Sequence, residues 1–495
     1  MDKSSLDTTT QSKVFVKSLN GLKWNYIGTF IKMFTQYVVV ILLMRLVGPQ
    51  AYGTMAIALS IIALGNLLND SGLGAFIVQN PQLTKDDIKS CFTIQIFMSL
   101  IVALSVFLGS NLVSNYFNNN ELALVLKLLS ISFILQAYGV ISFNLLKKEF
   151  KFKNIQIANI SSYIISYAVI GLILAFNNWG VLSLVYAQIS QAFLNSLMLY
   201  FFTKHSLKLK FVFTKKYLKY YRFGLKALAT NITNWLIDSL GTFSMGKVYG
   251  AINLGFYNRT FTLLMYPITF VVNMIQTIMF PLYSKFQDDE KLTKQTFLST
   301  VFIVALFMIP ISLVLIIFRY EIFRMLFGEY GAKCASIALP VIISLPFISL
   351  TNICGPLFWG RGNIERELKA QIKTVIIYVI LIFIFMNFEF NKFIWITLVV
   401  YISRFFIIVK SVLKYLTLPT TQYLKAFFPA IRVGLIVLII SIFVKWLNLE
   451  DIFSLISLGS MLAIILGLCF IKKRNIYYPP NIERSFFELL LRRGG

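Results

Sequence analysis

Two stretches of this chain share one pattern: Arg45-Leu46-Val47-Gly48-Pro49-Gln50-Ala51-Tyr52-Gly53 and Lys247-Val248-Tyr249-Gly250-Ala251-Ile252-Asn253-Leu254-Gly255. Each has a basic residue, a glycine three positions later and a second glycine five positions after that. The two stretches lie 202 residues apart, and each separates two long apolar runs. Gly21-Leu22-Lys23 and Gly224-Leu225-Lys226 open the first run of each pair. The spacing predicts two halves of similar design, an arrangement typical of membrane transporters.

Composition sets the class of protein. Of the 495 residues, 58% are hydrophobic and 13% are charged, and the mean hydropathy is +0.76. A soluble protein of this length could not bury so much apolar surface. Because an apolar run of about 20 residues crosses a bilayer as a helix, we predict an all-α polytopic membrane protein. About fourteen spans are expected, at 24–44, 54–79, 90–112, 122–145, 155–176, 180–202, 223–246, 256–279, 296–318, 335–358, 371–387, 393–413, 427–446 and 452–471.

The distribution of lysine and arginine predicts the orientation. With a cytoplasmic N-terminus, 33 of the 46 basic residues fall in inner segments and 7 in outer segments. Basic residues concentrate on the cytoplasmic side of membrane proteins, so both termini are expected to be cytoplasmic. The net charge of +26 does not indicate nucleic acid as a partner, because the basic residues alternate with spans instead of forming one patch.

Polar residues form stripes in the first span of each half. Asn25, Thr29, Lys32 and Gln36 recur at helical spacing, as do Asn231, Asn234, Asp238 and Thr242. Residues three and four positions apart share a helix face. One interpretation is a hydrophilic cavity that these stripes line. The alternative is interhelical hydrogen bonding within a tight bundle.

Charged residues within spans are the main candidates for a substrate site, since burying them in a bilayer is costly. Depth along the helices would allow Lys32 to pair with Asp70, and Arg259 with Asp238. Such pairs either fasten neighbouring helices or bind an anionic substrate and exchange partners during transport. Arg404 lies near mid-depth of its span with no acidic residue at that level, which suggests an anion contact. His205, in the basic inner loop, is expected to be solvated.

Further motifs carry a family resemblance. Asp70-Ser71-Gly72-Leu73-Gly74-Ala75 follows the first repeated stretch, and Gly255-Phe256-Tyr257-Asn258-Arg259 follows the second. Residues 145–154 (LLKKEFKFKN), Phe280-Pro281-Leu282-Tyr283-Ser284 and Leu326-Phe327-Gly328 continue the series. Over most of residues 20–420 the chain resembles the polysaccharide transport family of the multidrug/oligosaccharidyl-lipid/polysaccharide exporter superfamily, which includes Wzx-type O-antigen flippases. Gly360-Arg361-Gly362 stands where relatives often have Gly-Arg-Pro, and the last two spans match weakly.

The resemblance implies an architecture and an activity. It implies an N-terminal lobe (1–210) and a C-terminal lobe (211–420), each of six helices, around a central cavity, with two extra helices and a basic tail at 421–495. It implies a flippase that moves an undecaprenyl-diphosphate-linked oligosaccharide from the inner to the outer leaflet of a bacterial inner membrane by alternating access. Cations would then hold the diphosphate or acidic sugars: Lys32, Arg259 and Arg404 in the cavity, and Arg45 and Lys247 at the outer mouth.

Other functions remain open from the sequence. A cation-coupled small-molecule exporter of the same superfamily would favour an acidic cavity, whereas basic residues within spans outnumber acidic ones. A membrane enzyme would need a large outer loop with catalytic groups, and a scaffold is the remaining alternative. The sequence predicts no enzymatic activity, no cofactor and no metal site. The expected partners are the lipid-linked oligosaccharide and the bilayer, with a polysaccharide polymerase and chain-length proteins as candidates.

Overall fold

The regular elements of the described residues are all helices. The computed structural model describes residues 8–69, 73–80, 82–210, 216–285 and 289–447. The chain divides into two compact units, Met1–Arg259 and Thr260–Gly495. This boundary lies 49 residues beyond the 210/211 lobe boundary that the resemblance implies, and the six-helix lobes stay a prediction.

Seven complete helices lie within the described residues of the first unit. A π-helical stretch, Ile164–Gly171, joins the fifth helix to the sixth. The seven are α1 (Thr8–Asn69), α2 (Leu73–Gln79), α3 (Lys85–Phe117), α4 (Asn120–Lys148), α5 (Phe152–Tyr163), α6 (Leu172–Phe176) and α7 (Val181–Thr203).

The boundary between the units falls inside the next helix, α8 (Lys216–Lys285). The helices that follow belong to the second unit. They are α9 (Glu290–Ile317), α10 (Arg319–Phe327), α11 (Gly331–Asn352), α12 (Cys354–Gly360), α13 (Ile364–Phe385), α14 (Phe390–Phe393), α15 (Trp395–Tyr415) and α16 (Thr420–Trp446).

The described residues include ten helices that are long and apolar enough to cross a bilayer. The prediction of a multi-pass all-α protein is therefore confirmed, whereas the number fourteen stays a prediction. The differences have identifiable places. Two predicted spans share α1, the two spans expected in α8 are not among the ten, and the span expected at 452–471 lies outside the described residues.

Small apolar clusters hold the helices of the first unit together. Phe76 of α2, Phe92 of α3 and Ile141 of α4 belong to one buried cluster. Leu146 of α4 and Leu199 of α7 belong to a second. These clusters fix α2 to α5 and α7 against one another, and they leave the outward faces of the helices apolar for lipid.

Side-chain caps place the ends of α3 and α4. Thr84 and Asp87 form a capping box at the start of α3, each side chain accepting a hydrogen bond from the other residue's backbone N–H. Such boxes satisfy backbone donors that a helix start leaves free. Asn119 caps α4, and its side-chain amide also donates to Thr54 Oγ1 of α1 at 2.9 Å. The turn between α3 and α4 is thereby fixed to α1 just beyond the first repeated stretch.

In the second unit, α16 packs along α9. Phe302 and Leu306 of α9 meet Val433 and Val437 of α16 in a buried cluster. Gly434 allows this close packing, since a Cβ there would lie 2.9 Å from Ile309 Cγ2. The span predicted at 427–446 is thus a helix of the second unit's core.

The expectation of a solvated His205 is wrong. The imidazole is buried, with 7% of its surface exposed, and Nδ1 lies 3.1 Å from Ser142 Oγ. The rings of Phe92 and Tyr200 lie edge-on to it. The position of His205 in a basic loop did not predict this burial, because the residues that pack against it belong to helices distant in sequence.

Protonation of His205 is expected to destabilise the first unit. Burial lowers the pKa of His205 below its usual value of 6.5, so the folded protein releases this proton more readily than the unfolded chain. The contribution to stability is complete above the unfolded pKa and is lost as pH falls through the folded pKa. Thermal unfolding of the wild type and of His205→Gln, compared at about pH 7.5 and about pH 5, tests this. The wild-type midpoint should fall more on acidification. Equal falls would contradict the assignment.

Candidate functional site

The two repeated stretches adopt the same kink. Gly48 interrupts α1 with φ 79° and ψ 173°, and Gly250 interrupts α8 with φ 78° and ψ 173°. Glycine reaches positive φ without the steric cost of a Cβ. The prediction that each stretch separates two helical segments is confirmed, although a single kinked residue makes the break where a longer connector was expected.

The two kinks approach each other backbone to backbone within the first unit. A Cβ built on Gly53 would overlap the carbonyl oxygen of Ala251, and a Cβ built on Gly255 would overlap that of Pro49. The contact is reciprocal: each half contributes one glycine and one carbonyl. Both glycines of the repeat are therefore explained, the first by its conformation and the second by this contact. The predicted topology places the crossing at the outer ends of the first segments of α1 and α8.

A buried arginine lies beside this crossing. The guanidinium carbon of Arg259 lies 4.0 Å from the centroid of the Tyr52 ring, and Nη2 donates to Asn258 Oδ1 at 2.6 Å. Only 8% of the arginine surface is exposed, and its Nε has no hydrogen-bond partner among the described residues. An aromatic face attracts a desolvated guanidinium by about 2 kcal/mol or more. The ring therefore holds the cation while leaving a donor available.

A second cation of the repeat reaches a different helix. Nζ of Lys247 lies 4.9 Å from the Tyr116 ring centroid and donates to the Tyr116 carbonyl oxygen at the end of α3. Trp235 of α8 donates from Nε1 to the Ser60 carbonyl of α1 at 2.8 Å. These contacts fasten α8 to α1 and α3 on either side of Phe243, which packs against both Phe117 and Trp235.

Other predicted site residues lie along the same helices. Lys32 and Gln36 are half-buried on α1, as are Asn231 and Asn234 on α8. A half-buried side chain fits either a cavity wall or a contact between helices. The common cavity therefore stays a prediction. The rest of the set are Arg45 and Asp238, which are exposed, Asn25, whose side chain is not described, and Asp70, which lies outside the described residues.

The second unit buries a cation in a different way. Arg404 of α15 donates from Nε to Gln371 Oε1 of α13 at 3.1 Å. Gln371 in turn lies 3.5 Å from Glu367 Oε1, and Trp359 Nε1 donates to the other oxygen of Glu367 at 2.6 Å. The carboxylate of Glu367, which a comparison of depths along the spans did not identify, is thus connected to Arg404 through the side-chain amide of Gln371. Sequence offered one sign of it: Glu367 and Gln371 are four residues apart, on one helix face.

The structure groups the predicted residues only in part. Arg259 and Lys247 lie near the crossing, each on a tyrosine that sequence reasoning did not select. Tyr52 was detectable, because it lies inside the repeated stretch, whereas nothing in the sequence singled out Tyr116. Among the described residues, no three His, Cys, Asp or Glu side chains form a group that could hold a metal ion.

Comparison with known proteins finds one family and several relatives. The sequence model of the family described as polysaccharide biosynthesis protein matches residues 42–336. The lipopolysaccharide biosynthesis protein WzxC of Escherichia coli is 24% identical over 73% of this chain and 74% of its own. The succinoglycan biosynthesis transport protein ExoT of Rhizobium meliloti is 21% identical over 71% and 72%.

Solved structures share the fold. The lipid II flippase MurJ in an inward closed conformation matches with a TM-score of 0.66 and 16% identity, over 92% of this chain and 97% of that one. An inward-facing multidrug resistance MATE transporter of the MOP superfamily matches with a TM-score of 0.61 and 15% identity, over 79% and 98%. These matches confirm the all-α, multi-helix fold.

Adding a methyl group at the crossing should destabilise the protein. Gly53→Ala places a Cβ against a backbone carbonyl, which cannot rotate away as a side chain can. We expect a loss of about 1–3 kcal/mol, the usual cost of overpacking, seen as a lower thermal unfolding midpoint. Gly109→Ala is the matched control, because open space surrounds a Cβ on this glycine of α3. An unchanged midpoint for Gly53→Ala would contradict the contact.

Removing the amide that bridges α13 and α15 should also destabilise the protein. Gln371→Leu deletes an acceptor of the buried guanidinium of Arg404, and hydrogen bonds to charged groups contribute about 1.5–3 kcal/mol. The exposed Gln422→Leu should change stability by less than about 0.5 kcal/mol. Chemical or thermal unfolding in one detergent compares the two variants. Equal effects would show that the bridge contributes nothing particular.

Proposed function

Because the chain belongs to the polysaccharide biosynthesis protein family, we propose that it is a flippase for an undecaprenyl-diphosphate-linked oligosaccharide. The cargo would be a unit of O-antigen, capsule or exopolysaccharide that crosses from the inner to the outer leaflet. The family match over residues 42–336 carries the proposal. The names of the relatives support it, since they act in lipopolysaccharide and succinoglycan biosynthesis. The fold shared with a lipid II flippase agrees with it.

The negative charge of the cargo is complementary to the positive charge of Arg259. A diphosphate is a strong hydrogen-bond acceptor, and Arg259 is a buried cation with an unused N–H donor. Its contact with Tyr52 is a stacking contact, which leaves the positive charge unneutralised. Contacts between charges are stronger in a low-dielectric site than in water. Lys32 and Arg404 would supply further charge in the cavity, with Arg45 and Lys247 at its outer mouth.

The glycine crossing supplies a reversible outer closure in this proposal. Alternating access requires an outer contact that forms and separates. Two backbones that meet at glycines pack closely. Their separation leaves no polar side chain without a partner, because glycine has no side chain. The kinks at Gly48 and Gly250 would serve as hinges, because glycine absorbs changes of φ and ψ at low cost. Release to the outer leaflet would follow when this contact opens.

In this proposal the protein lies in a bacterial inner membrane with both termini cytoplasmic. It would act without catalysis and without a cofactor. A polymerase and chain-length proteins would be its partners in assembly. An interior-negative membrane potential would drive the anionic cargo outward, and proton or sodium exchange at Asp70 or Asp238 is the alternative drive.

A cation-coupled small-molecule exporter is the alternative, favoured by the fold shared with a MATE transporter. Deleting the gene in its host and extracting lipid-linked intermediates separates the two functions. The flippase predicts that one diphospholipid-oligosaccharide accumulates in the cytoplasmic leaflet and that its surface polymer is lost. Normal surface polymer with altered sensitivity to cationic compounds would favour the exporter.

Loss of Arg259 should impair transport more than loss of the exposed Arg432. Because a charge-assisted contact contributes about 1.5–3 kcal/mol, Arg259→Ala should reduce polymer export by about ten- to a hundredfold. Arg259→Lys keeps the charge but loses the planar donor group, so it should retain part of the activity. Arg432→Ala is the control, since Arg432 is exposed and lies over Phe428. Export is measured at equal protein levels in the deletion host. Equal effects of Arg259→Ala and Arg432→Ala would remove Arg259 from the site.

A further inference from the structure

A basic cavity of about 500 Å³ lies between α13 and α15 in the second unit. Its charged lining consists of Arg366, Lys369 and Lys373 of α13, Lys414 of α15, and the single carboxylate of Glu365. In the predicted topology these residues lie at the cytoplasmic ends of the two helices. The cavity is therefore a concentration of positive charge at the depth of the inner-leaflet headgroups. None of its residues belongs to the site proposed above.

The position of one cation in this cavity is fixed by an aromatic ring. The guanidinium carbon of Arg366 lies 4.8 Å from the Tyr415 ring centroid. Asn363 donates from Nδ2 to the hydroxyl oxygen of Tyr415 at 2.8 Å, which holds the ring in place. A guanidinium held in this way loses little conformational freedom when it binds an anion, and its planar donors match a phosphate.

The surface beyond the cavity has the chemistry of an acyl-chain site. Along α13 the series Arg366, Lys369, Lys373 continues at steps of three and four residues with Ile376, Ile380 and Ile384. Residues at this spacing share one helix face. The three isoleucines are 54%, 51% and 57% exposed. A single face thus changes from cationic to apolar in the direction of the bilayer centre.

The first part of this apolar stretch lies in the inner half of the bilayer. Ile376 and Ile380 lie three and seven residues beyond Lys373, about 5 and 11 Å along a helix. Half of the hydrocarbon core of a bilayer is about 15 Å, so both isoleucines lie at the depth of inner-leaflet acyl chains. A soluble phosphate compound would use the cations and leave the apolar stretch unused, whereas an amphiphile with an anionic headgroup would use both.

We propose that the cavity between α13 and α15 binds an anionic phospholipid of the inner leaflet. The phosphate contacts Arg366, Lys369, Lys373 and Lys414, and an acyl chain lies along Ile376 and Ile380. Basic pockets between membrane helices on the cytoplasmic side are suited to such headgroups. The site takes no part in transport of the oligosaccharide, so lipid binding is tested independently of the proposed function.

Native mass spectrometry of the full-length protein with added phosphatidylglycerol tests the site. Replacing Lys369, Lys373 and Lys414 together by glutamine should weaken binding by on the order of a hundredfold, given the contribution of each basic residue at a membrane surface. The arginine versions of the same three substitutions keep the charge and should keep binding. Lys147→Gln, Lys204→Gln and Lys208→Gln, combined, are the matched control, since these lysines are exposed and lie on the same predicted side.

A single-residue variant and three further binding measurements test the lipid site. Should the triple glutamine variant not fold, Lys373→Gln alone should still weaken binding by several-fold. Phosphatidylglycerol bound equally by the wild type and the triple glutamine variant would overturn the site. Displacement by millimolar inorganic phosphate, or binding of undecaprenyl diphosphate in place of phosphatidylglycerol, would overturn the assignment to a bilayer phospholipid. Equal binding of phosphatidylcholine would overturn the role of charge.

Discussion

The crossing of two glycine kinks is the contact on which the first unit depends. Gly53 and Gly255 each admit the carbonyl of the opposite stretch, and neither position has room for a Cβ. Because Gly48 and Gly250 share one backbone conformation, the two helices meet with matching geometry. The contacts of Trp235 and Lys247 then fix α8 against its neighbours at that distance. A bulkier residue at the crossing would move all of them.

The two buried arginines of the described residues are held in different ways. Arg404 donates to an amide that leads to the carboxylate of Glu367, so its charge is compensated within the unit. Arg259 rests on Tyr52 and on the neutral side chain of Asn258. A ring attracts a cation without neutralising it. By this criterion Arg259 is the better candidate for an anion that comes and goes, and Arg404 has a larger part in stability.

Much of the architecture could be predicted from sequence because it follows from local rules. Apolar runs predicted the helices, and the repeated glycines predicted where α1 and α8 break. The reciprocal contact of the two breaks could not be predicted, since it depends on how segments about 200 residues apart meet. The same holds for His205, whose burial comes from Ser142, Phe92 and Tyr200 on three different helices.

The candidate site was less predictable than the fold. Arg259 and Arg404 were selected because they carry charge inside spans, and both are buried, whereas their role in a substrate site stays a prediction. Their partners were not found, since an aromatic ring or an amide carries no charge to match by depth. The cavity beside α13 was not selected either: its lysines were interpreted only as topology signals, and the apolar continuation along the same face was visible in the sequence.

Reconstitution in liposomes tests whether the protein by itself moves the cargo across a bilayer. The purified protein is placed in liposomes that contain a polyprenyl-diphosphate-linked oligosaccharide, and an external glycosidase reports how much oligosaccharide reaches the outer leaflet. We expect the whole pool to become accessible at a rate that increases with the amount of protein. A rate equal to that of protein-free liposomes, with the protein folded and inserted, would contradict it.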